Sequence, residues 1–539
     1  MKNLLQTAIE HHRAGRLAQA EPIYRQILAL SPAHPEALHL LGMIAHQTGH
    51  ADAAIAFINQ AIAVKPNFAE AYCNLGAVHF GQGRLEESAA FSRKAIAIKP
   101  NYLDAHNNLA AALIGLNKFD DAAASAQRAI AIKRGSAEAH NNLGYAYLKQ
   151  NKPGDAVASL RRAIAIRQDY PEALRNLGDA LANQGKFGES VVHYQKALSI
   201  RPAYAEAMVN LGVALTKAGR IDDAIALYRQ AIAIRPNYPE AFFNLGVALF
   251  DQVKLDEAIA CYRKAIALDP DYINAHRNLG FTLHRQGAFE ESASCYRRVI
   301  AIEPDNQSAL HMIAAMAGSN PERASTRYVA GLFDEYAEKF DAHLVQELEY
   351  RSPGLIVSMI RDSPPATGGK WDVLDLGCGT GLAGAAIAPY ARHLVGVDLS
   401  PRMLDKARER GVYTRLEAAD LLEMTRGEAA ETYDAVTAAD VFVYIGKLDA
   451  LFAEVKRLLR AGGRFGFTLE TLKLPGDAEA GAGALQDYRL TPTGRYAHSS
   501  AYIERLAAQS GFKVDQFVST ILRLELGKPV NGWLVLLSA

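Results

Sequence analysis

The chain has 539 residues, more than one hydrophobic core usually organises, so at least two domains are expected. Lys plus Arg and Asp plus Glu number 58 each, a balance that argues against a nucleic-acid partner or an anionic membrane surface. The four cysteines, Cys73, Cys261, Cys295 and Cys378, show no C-x-x-C spacing, which argues against zinc ribbons and disulfide scaffolds and fits a reducing cytoplasm.

The amino-terminal run MKNLLQTAIEHHRAGRL reads as an amphipathic helix broken by charges and lacks a signal-peptide core. No uninterrupted apolar run reaches membrane-spanning length, so a cytoplasmic protein without a membrane span is expected. From Met1 the chain restarts every 34 residues. The marker pairs are Leu41-Gly42, Leu75-Gly76, Leu143-Gly144, Leu177-Gly178, Leu211-Gly212, Leu245-Gly246 and Leu279-Gly280, with Leu109-Ala110 standing in once. Prolines close most units, at Pro32, Pro66, Pro100, Pro202, Pro236, Pro270 and Pro304, while Arg134 and Gln168 hold that slot in two of them. This is the tetratricopeptide period, and it predicts an all-α solenoid over residues 1–318, built of nine units and a capping helix at Gln307 to Ala317. Small residues such as Gly76 and Ser88 fall where the two helices of a unit must approach closely.

Position 6 of the unit is Asn seven times in succession: Asn74, Asn108, Asn142, Asn176, Asn210, Asn244 and Asn278. Helical phase turns this position away from the packing stripe, and a carboxamide both donates and accepts, so the row is a candidate surface for the backbone of an extended peptide client. It resembles the asparagine ladder in the superhelical repeats of O-GlcNAc transferase, and it is equally consistent with a residue that merely belongs to the repeat. Position 2 is acidic in Glu70, Asp104, Glu138, Glu172, Glu206 and Glu240. Two readings stand: a basic client, or carboxylates favoured by the helix dipole in the first turn.

Residues 319–370 leave the repeat phase and contain YVAGLFDEYAEKFDAHL, a helix rich in aromatics and charges. From 371 onward strand and helix alternate, predicting a parallel sheet with helices on both faces. Val373 to Gly381 reads VLDLGCGTG, an apolar strand, an acid and glycines at alternate positions, which is the form of a nucleotide-binding loop. Gly379, Gly381 and Gly384 satisfy the dinucleotide pattern G-x-G-x-x-G, so a nicotinamide oxidoreductase is one reading. The order D-x-G-x-G-x-G instead resembles motif I of the class I S-adenosylmethionine-dependent methyltransferases. The YVAGLFDEYAEKFDAHL segment, with RYAHS near the carboxyl terminus, is similar to a bacterial family of tetratricopeptide-containing methyltransferases, and the likeness covers almost the whole chain.

That resemblance implies a Rossmann-like class I methyltransferase domain over 371–539 that binds S-adenosylmethionine. It implies that Asp375, Gly377, Gly379 and Gly381 form the cofactor loop, that Asp398 meets the ribose, that Asp420 meets the adenine, and that Asp440 and Tyr444 lie beside the methionine portion. It also implies that the junction helix closes over the cofactor, with Tyr328, Tyr336 or Phe340 near it. Leu472 to Ser500 interrupts the alternation and is expected to be a substrate lid, with Arg495, Tyr496 and His498 as substrate contacts. Tyr444 and His498 are the candidate catalytic residues, His498 as a general base with a reference pKa near about 6.5. The runs FVSTILRLELG and GWLVLLSA lie close enough together to pair as an antiparallel hairpin. No metal-ligand cluster is evident, and AADVFVY stands where amide and base-amine methyltransferases carry D/N-P-P-Y. An active methyltransferase with a client-recruiting repeat, a scaffold that binds cofactor without transfer, and an NAD(P) enzyme remain as readings.

Overall fold

The computed structural model describes residues 2–338, 340–342, 350–472, 486–525 and 528–539. The chain forms two compact units, Met1–Leu268 and Asp269–Ala539. Among the described residues no helix is long and apolar enough to cross a membrane.

The first unit is a run of antiparallel helix pairs, from Lys2–Arg13 and Leu17–Leu30 to Pro239–Asp251 and Leu255–Leu268. A steric match explains the marker glycines. A Cβ added at Gly178, Gly212 or Gly246 would stand 2.4, 2.5 or 2.6 Å from the ring of Tyr194, Tyr228 or Tyr262, each sixteen residues on in the partner helix. These rings are almost fully buried, so the missing side chain is what lets the two helices close on them. Gly144 makes room for Leu160 in the same way. At the one departure, Ala110, the facing residue is Ala126, and both are fully buried in one cluster. The pair keeps its combined volume small by sharing two methyl groups instead of setting a ring on a glycine.

Four of the six carboxylates of the acidic row, Glu70, Glu138, Glu172 and Glu206, are engaged within the repeat, as is Glu36. Lys65 reaches Glu36 at 3.1 Å, Lys99 reaches Glu70 at 3.2 Å and Arg235 reaches Glu206 at 3.0 Å, with Arg167 on Glu138 and Arg201 on Glu172 in the same register. Each cation is also laid over the aromatic ring three residues further on, as Arg235 is over Tyr238. These pairs are half exposed and each is worth about 0 to 1 kcal/mol.

The second unit begins with repeat-like helices at Ile273–Arg285, Phe289–Ile302 and Gln307–Met316. Its sheet has strands β1 (Trp371–Leu376), β2 (Ala391–Asp398), β3 (Arg415–Ala418), β4 (Tyr433–Ala438), β5 (Leu459–Thr471), β6 (Tyr488–Leu490), β7 (Tyr496–His498), β8 (Lys513–Glu525) and β9 (Lys528–Ser538). Strands β3, β2, β1, β4 and β5 lie side by side in parallel. β9 then pairs antiparallel with β5 and with β8, which is the carboxyl-terminal hairpin expected from the sequence. The apolar runs of β1 and β4 are buried throughout, as strands covered on both faces must be.

β6 and β7 form a small hairpin that joins the end of β5 at Glu470 and Thr471. This hairpin is gripped by the chain that precedes the sheet. His284 bonds the carbonyl of Pro492, and His311 Nε2 donates to the carbonyl of Gly494 at 2.8 Å. Asn320 donates to the carbonyl of Tyr488 at 2.9 Å and accepts from the N–H of Leu490 at 2.8 Å. Gly494, at φ 79°, turns the hairpin where a side chain would run into the Met312 sulfur. Of the expected lid, residues 473–485 lie outside the described residues, and the remainder is this hairpin.

These contacts set the minimal folding unit. A fragment starting at Asp269 should fold cooperatively, whereas one starting at Ser319 loses the cover of Pro492, Gly494 and Tyr328 and should be less stable by about 3 kcal/mol, in the range of a large core truncation. Urea unfolding followed by tryptophan fluorescence checks this, since both tryptophans, Trp371 and Trp533, lie in the second unit.

Candidate active site

The site is built at the carboxyl ends of β1, β2 and β4. β1 ends in Asp375, and the chain then turns through Gly377, Gly379 and Gly381 with φ of 62°, 54° and 87°, backbone that other residues adopt only with strain. Gly381 caps the short helix Leu382–Ile387.

The carboxylate of Asp375 does not face the cleft. It is 1% exposed, accepting from Tyr413 Oη at 2.7 Å and from Thr437 Oγ1 at 2.8 Å. Burial raises its pKa to about 6 against these hydrogen bonds. Its role is therefore to anchor the loop from below. Gly384, the third glycine of the dinucleotide pattern, is explained by the same node: a Cβ there would meet the Tyr413 hydroxyl at 2.1 Å.

Asp398 closes the loop from the side. Its Oδ2 accepts the N–H of Gly379 at 3.0 Å and its Oδ1 accepts the N–H of Ser400 at 2.8 Å, while burial raises its pKa. Ser400 Oγ caps the helix Pro401–Glu409 by accepting from Met403 N, and it donates to Asp334 at 2.6 Å. Asp334 belongs to the Thr326–Tyr336 helix, so this bond ties the junction helix to the end of β2. The turn Phe340–Ala342 continues the cover: Phe340 lies 3.8 Å from where a Cβ of Gly379 would be, and Asp341 accepts from Thr380 and pairs with Arg410. Phe333, Tyr336, Phe340 and Tyr444 make edge-to-face contacts around it. Tyr328 does not join this cover; its ring stacks 4.2 Å from that of His311.

Asp420 caps the helix Leu421–Gly427 by accepting from Leu422 N and Glu423 N, and Arg323 reaches it at 3.0 Å. A cavity of about 350 Å³ opens beside this pair, between Leu422, Ile445 and Lys447. Asp440 follows β4 with φ 55° and is held by Thr468, Ser352 and Arg523. Arg523 is 3% exposed on β8, and its guanidinium also binds Glu470, to which Arg495 extends at 3.5 Å. The Tyr444 hydroxyl bonds to Arg495, and burial raises its pKa. Arg323, Asp334, Asp341, Tyr413, Glu470 and Arg523 were not singled out in the sequence. Only Arg523 carried a signal, as a cation within the apolar run FVSTILRLELG.

Two residues expected to touch substrate are interior. Tyr496 is fully buried against Tyr488. His498 is also fully buried; its Nε2 bonds the carbonyl of Gly446 at 2.9 Å and its ring stacks on Tyr502. Burial lowers its pKa to about 4, so the ring is neutral at pH 7 and packed where no solvent-borne acceptor reaches it. His498 is thus a structural residue, not a general base.

The Asn row is divided. Asn74, Asn108, Asn142, Asn176 and Asn210 each direct Nδ2 onto a residue of the preceding unit, Asn244 bonds the Glu240 carbonyl in its own helix, and Asn278 lies apart in the second unit, where its carbonyl accepts from Thr282.

Against known families, residues 374–465 match a methyltransferase domain, and residues 11–143 and 146–306 match tetratricopeptide repeats almost without a break. The chain therefore joins a tetratricopeptide array to a methyltransferase domain. Among individual proteins, it is 36% identical over 130 residues to human methyltransferase-like protein 27, covering 22% of this chain and 53% of that protein. It is 25% identical over 184 residues to a ubiquinone biosynthesis O-methyltransferase of Xylella fastidiosa, covering 33% of this chain and 74% of that one. The chain thus spans about half the length of the first relative. MamA of Desulfovibrio magneticus superposes on 32% of this chain and 96% of its own, at 28% identity and a TM-score of 0.29.

The structural role of His498 has a pH signature. Its folded pKa lies below the unfolded value near about 6.5, so its contribution to stability is complete above that pH and is lost as pH falls toward about 4, on the order of 3 kcal/mol in all. His498→Gln should remove that acid dependence from the tryptophan-monitored unfolding while leaving the rest of the profile in place. An unchanged acid slope would show that the ring is solvated.

Proposed function

We propose that the protein is an S-adenosylmethionine-dependent methyltransferase whose repeat array recruits a protein or peptide client. The observation that carries the first half is the glycine loop at the end of β1, with three left-handed glycines, its Gly379 N–H held by Asp398, and an aromatic helix laid over it. A Cβ at Gly377 would stand 2.6 Å from Val441, so the loop lies against the chain after β4 and leaves its open side for a ligand. The residues present fit the cofactor. Asp398 would take the ribose hydroxyls, Asp420 the adenine amino group, and the loop N–H groups the region between, while Tyr336 and Phe340 exclude water from above. When bound, the cofactor supplies a methyl group already activated by a sulfonium charge, so the chain's task is alignment more than proton transfer. Asp440 is kept in place by Thr468 and Arg523 to wall the methionine end. Tyr444 and Arg495 front the acceptor side, with the phenol bonded to the guanidinium.

The nicotinamide reading has less support, because Gly384 serves the packing of Tyr413 and the relatives are methyltransferases. The client-recruiting half is supported by the repeat itself, and the ion pairs that engage Glu70, Glu172 and Glu206 within the array count against a basic client.

Calorimetry tests the cofactor assignment: S-adenosylmethionine and its demethylated product should bind, and NAD and NADP should not. Asp398→Ala should weaken binding about 10- to 100-fold through the lost ribose contacts and a loosened loop. Gly379→Val should abolish it, since the residue sits at φ 54°. NADP binding in place of S-adenosylmethionine would overturn the assignment. Transfer of labelled methyl to any fraction of a cell extract separates an active enzyme from a cofactor-binding scaffold.

A further inference from the structure

The acceptor side of the cleft has more donors than its own acids can satisfy. Arg523 lies between two carboxylates: Nη1 donates to Asp440 Oδ2 at 2.9 Å, and Nη2 donates to Glu470 Oε1. Asp440 Oδ1 also accepts from Thr468 at 2.8 Å and from Ser352 at 3.3 Å, so both of its oxygens are taken. Arg495 reaches the same Glu470 oxygen at 3.5 Å. One carboxylate oxygen thus serves two guanidiniums, and the two cations lie close enough to repel each other. Arg495 is also the outermost member of the cluster, its side chain 26% exposed where that of Arg523 is 3%.

Two further donors lie beside this pair. Arg523 Nε–H is buried without a hydrogen-bond partner among the described residues, a cost that an acceptor atom from a ligand would recover. An arginine only donates, so Tyr444 Oη is the acceptor in its bond with Arg495, and the phenol's own hydrogen is directed elsewhere. Guanidiniums and a phenol O–H suit an anion, and they repel a cation.

Proton accounting narrows the anion. Methylation of a hydroxyl or an ammonium releases a proton, whereas a carboxylate is already ionised at pH 7 and releases none. His498, the expected base, is packed in the interior, and Asp440 and Glu470 are engaged by the guanidiniums. Burial raises the pKa of Tyr444 and of Tyr350, which lies beside Asp440 and Arg523.

We propose that the methyl acceptor is a carboxylate, held through one oxygen by Arg495 and Tyr444, and that the product is a methyl ester. This rests on the methyltransferase reading and names the substrate class. The second carboxylate oxygen supplies the lone pair that forms the O–CH₃ bond. The S–CH₃ bond breaks with its electrons going to sulfur, which becomes a neutral thioether, and no proton is transferred.

The test incubates the full chain with methyl-labelled S-adenosylmethionine and cell extract, then treats the product with base. A methyl ester releases its label as volatile methanol, whereas ethers and methylated amines keep theirs. Most of the label should become volatile, and separating acid-precipitable from soluble product tells a protein carboxylate from a small acid. The initial rate should stay level between about pH 6.5 and 8.5, where an acceptor that must lose a proton gives a rising limb. Arg495→Gln should raise the amount of extract needed for half-maximal transfer about 10- to 100-fold, with Arg495→Lys recovering part of it. By calorimetry Arg495→Gln should bind S-adenosylmethionine like the wild type; a loss there assigns Arg495 to the cofactor's own carboxylate and overturns the proposal. Base-stable label also overturns it while the methyltransferase reading stands, and this arm needs only the wild-type chain. If no fraction takes up label, the methyltransferase reading fails, and the carboxylate acceptor fails with it.

Discussion

A buried carboxylate holds the methyltransferase domain in register. Removing Asp375 from water would cost several kcal/mol if it were left unmatched, so the fold surrounds it with the hydroxyls of Tyr413 and Thr437. Those two bonds join the end of β1 to β4 and to the segment that enters β3. They also dictate composition elsewhere: Gly384 and Gly396 lack side chains because the Tyr413 ring occupies that space. With the strand end fixed from beneath, the glycines above it can take their left-handed conformations, and Asp398 can reach the N–H of Gly379 from the neighbouring strand.

The repeat obeys a different constraint, that of volume shared across two helices. A ring or branched side chain of the second helix rests on a residue without one in the first, and the exception at Ala110 is balanced by Ala126. Polar bonds are added within and between units. Within a unit Lys or Arg meets Glu at an offset of twenty-nine residues, and between units Asn donates to the unit before it. The carboxamides thus work within the solenoid with their nitrogens, and at Asn176 the oxygen is engaged as well, by Arg175.

Where the repeat period ends and where the second compact unit begins are separate matters. The helices from Ile273 to Met316 keep the tetratricopeptide pattern, yet His284 and His311 spend their ring nitrogens on carbonyls of the β6–β7 hairpin. That hairpin carries Arg495, which bonds Tyr444 and approaches Glu470. Tyr444 and Arg495 are accordingly positioned by repeat-like helices as well as by the sheet.

The sequence by itself determined the architecture. A period of 34 residues, the D-x-G-x-G-x-G loop and the two closing apolar runs are local patterns, and each specifies its element through packing volume, backbone freedom or strand pairing. The position of Asp398 was legible for the same reason, since a strand end fixes where its last residue points. What side chains do once buried was not legible. Asp375 reads as a ligand-facing acid until Tyr413 arrives from 38 residues away, and RYAHS reads as a loop until β5, Gly446 and Tyr502 enclose Tyr496 and His498. Arg523 met Asp440 and Glu470 only through the pairing of β8 with β9 and of β9 with β5. Burial and hydrogen-bond partnership are properties of surroundings assembled from distant parts of the chain, and tertiary structure alone decided them.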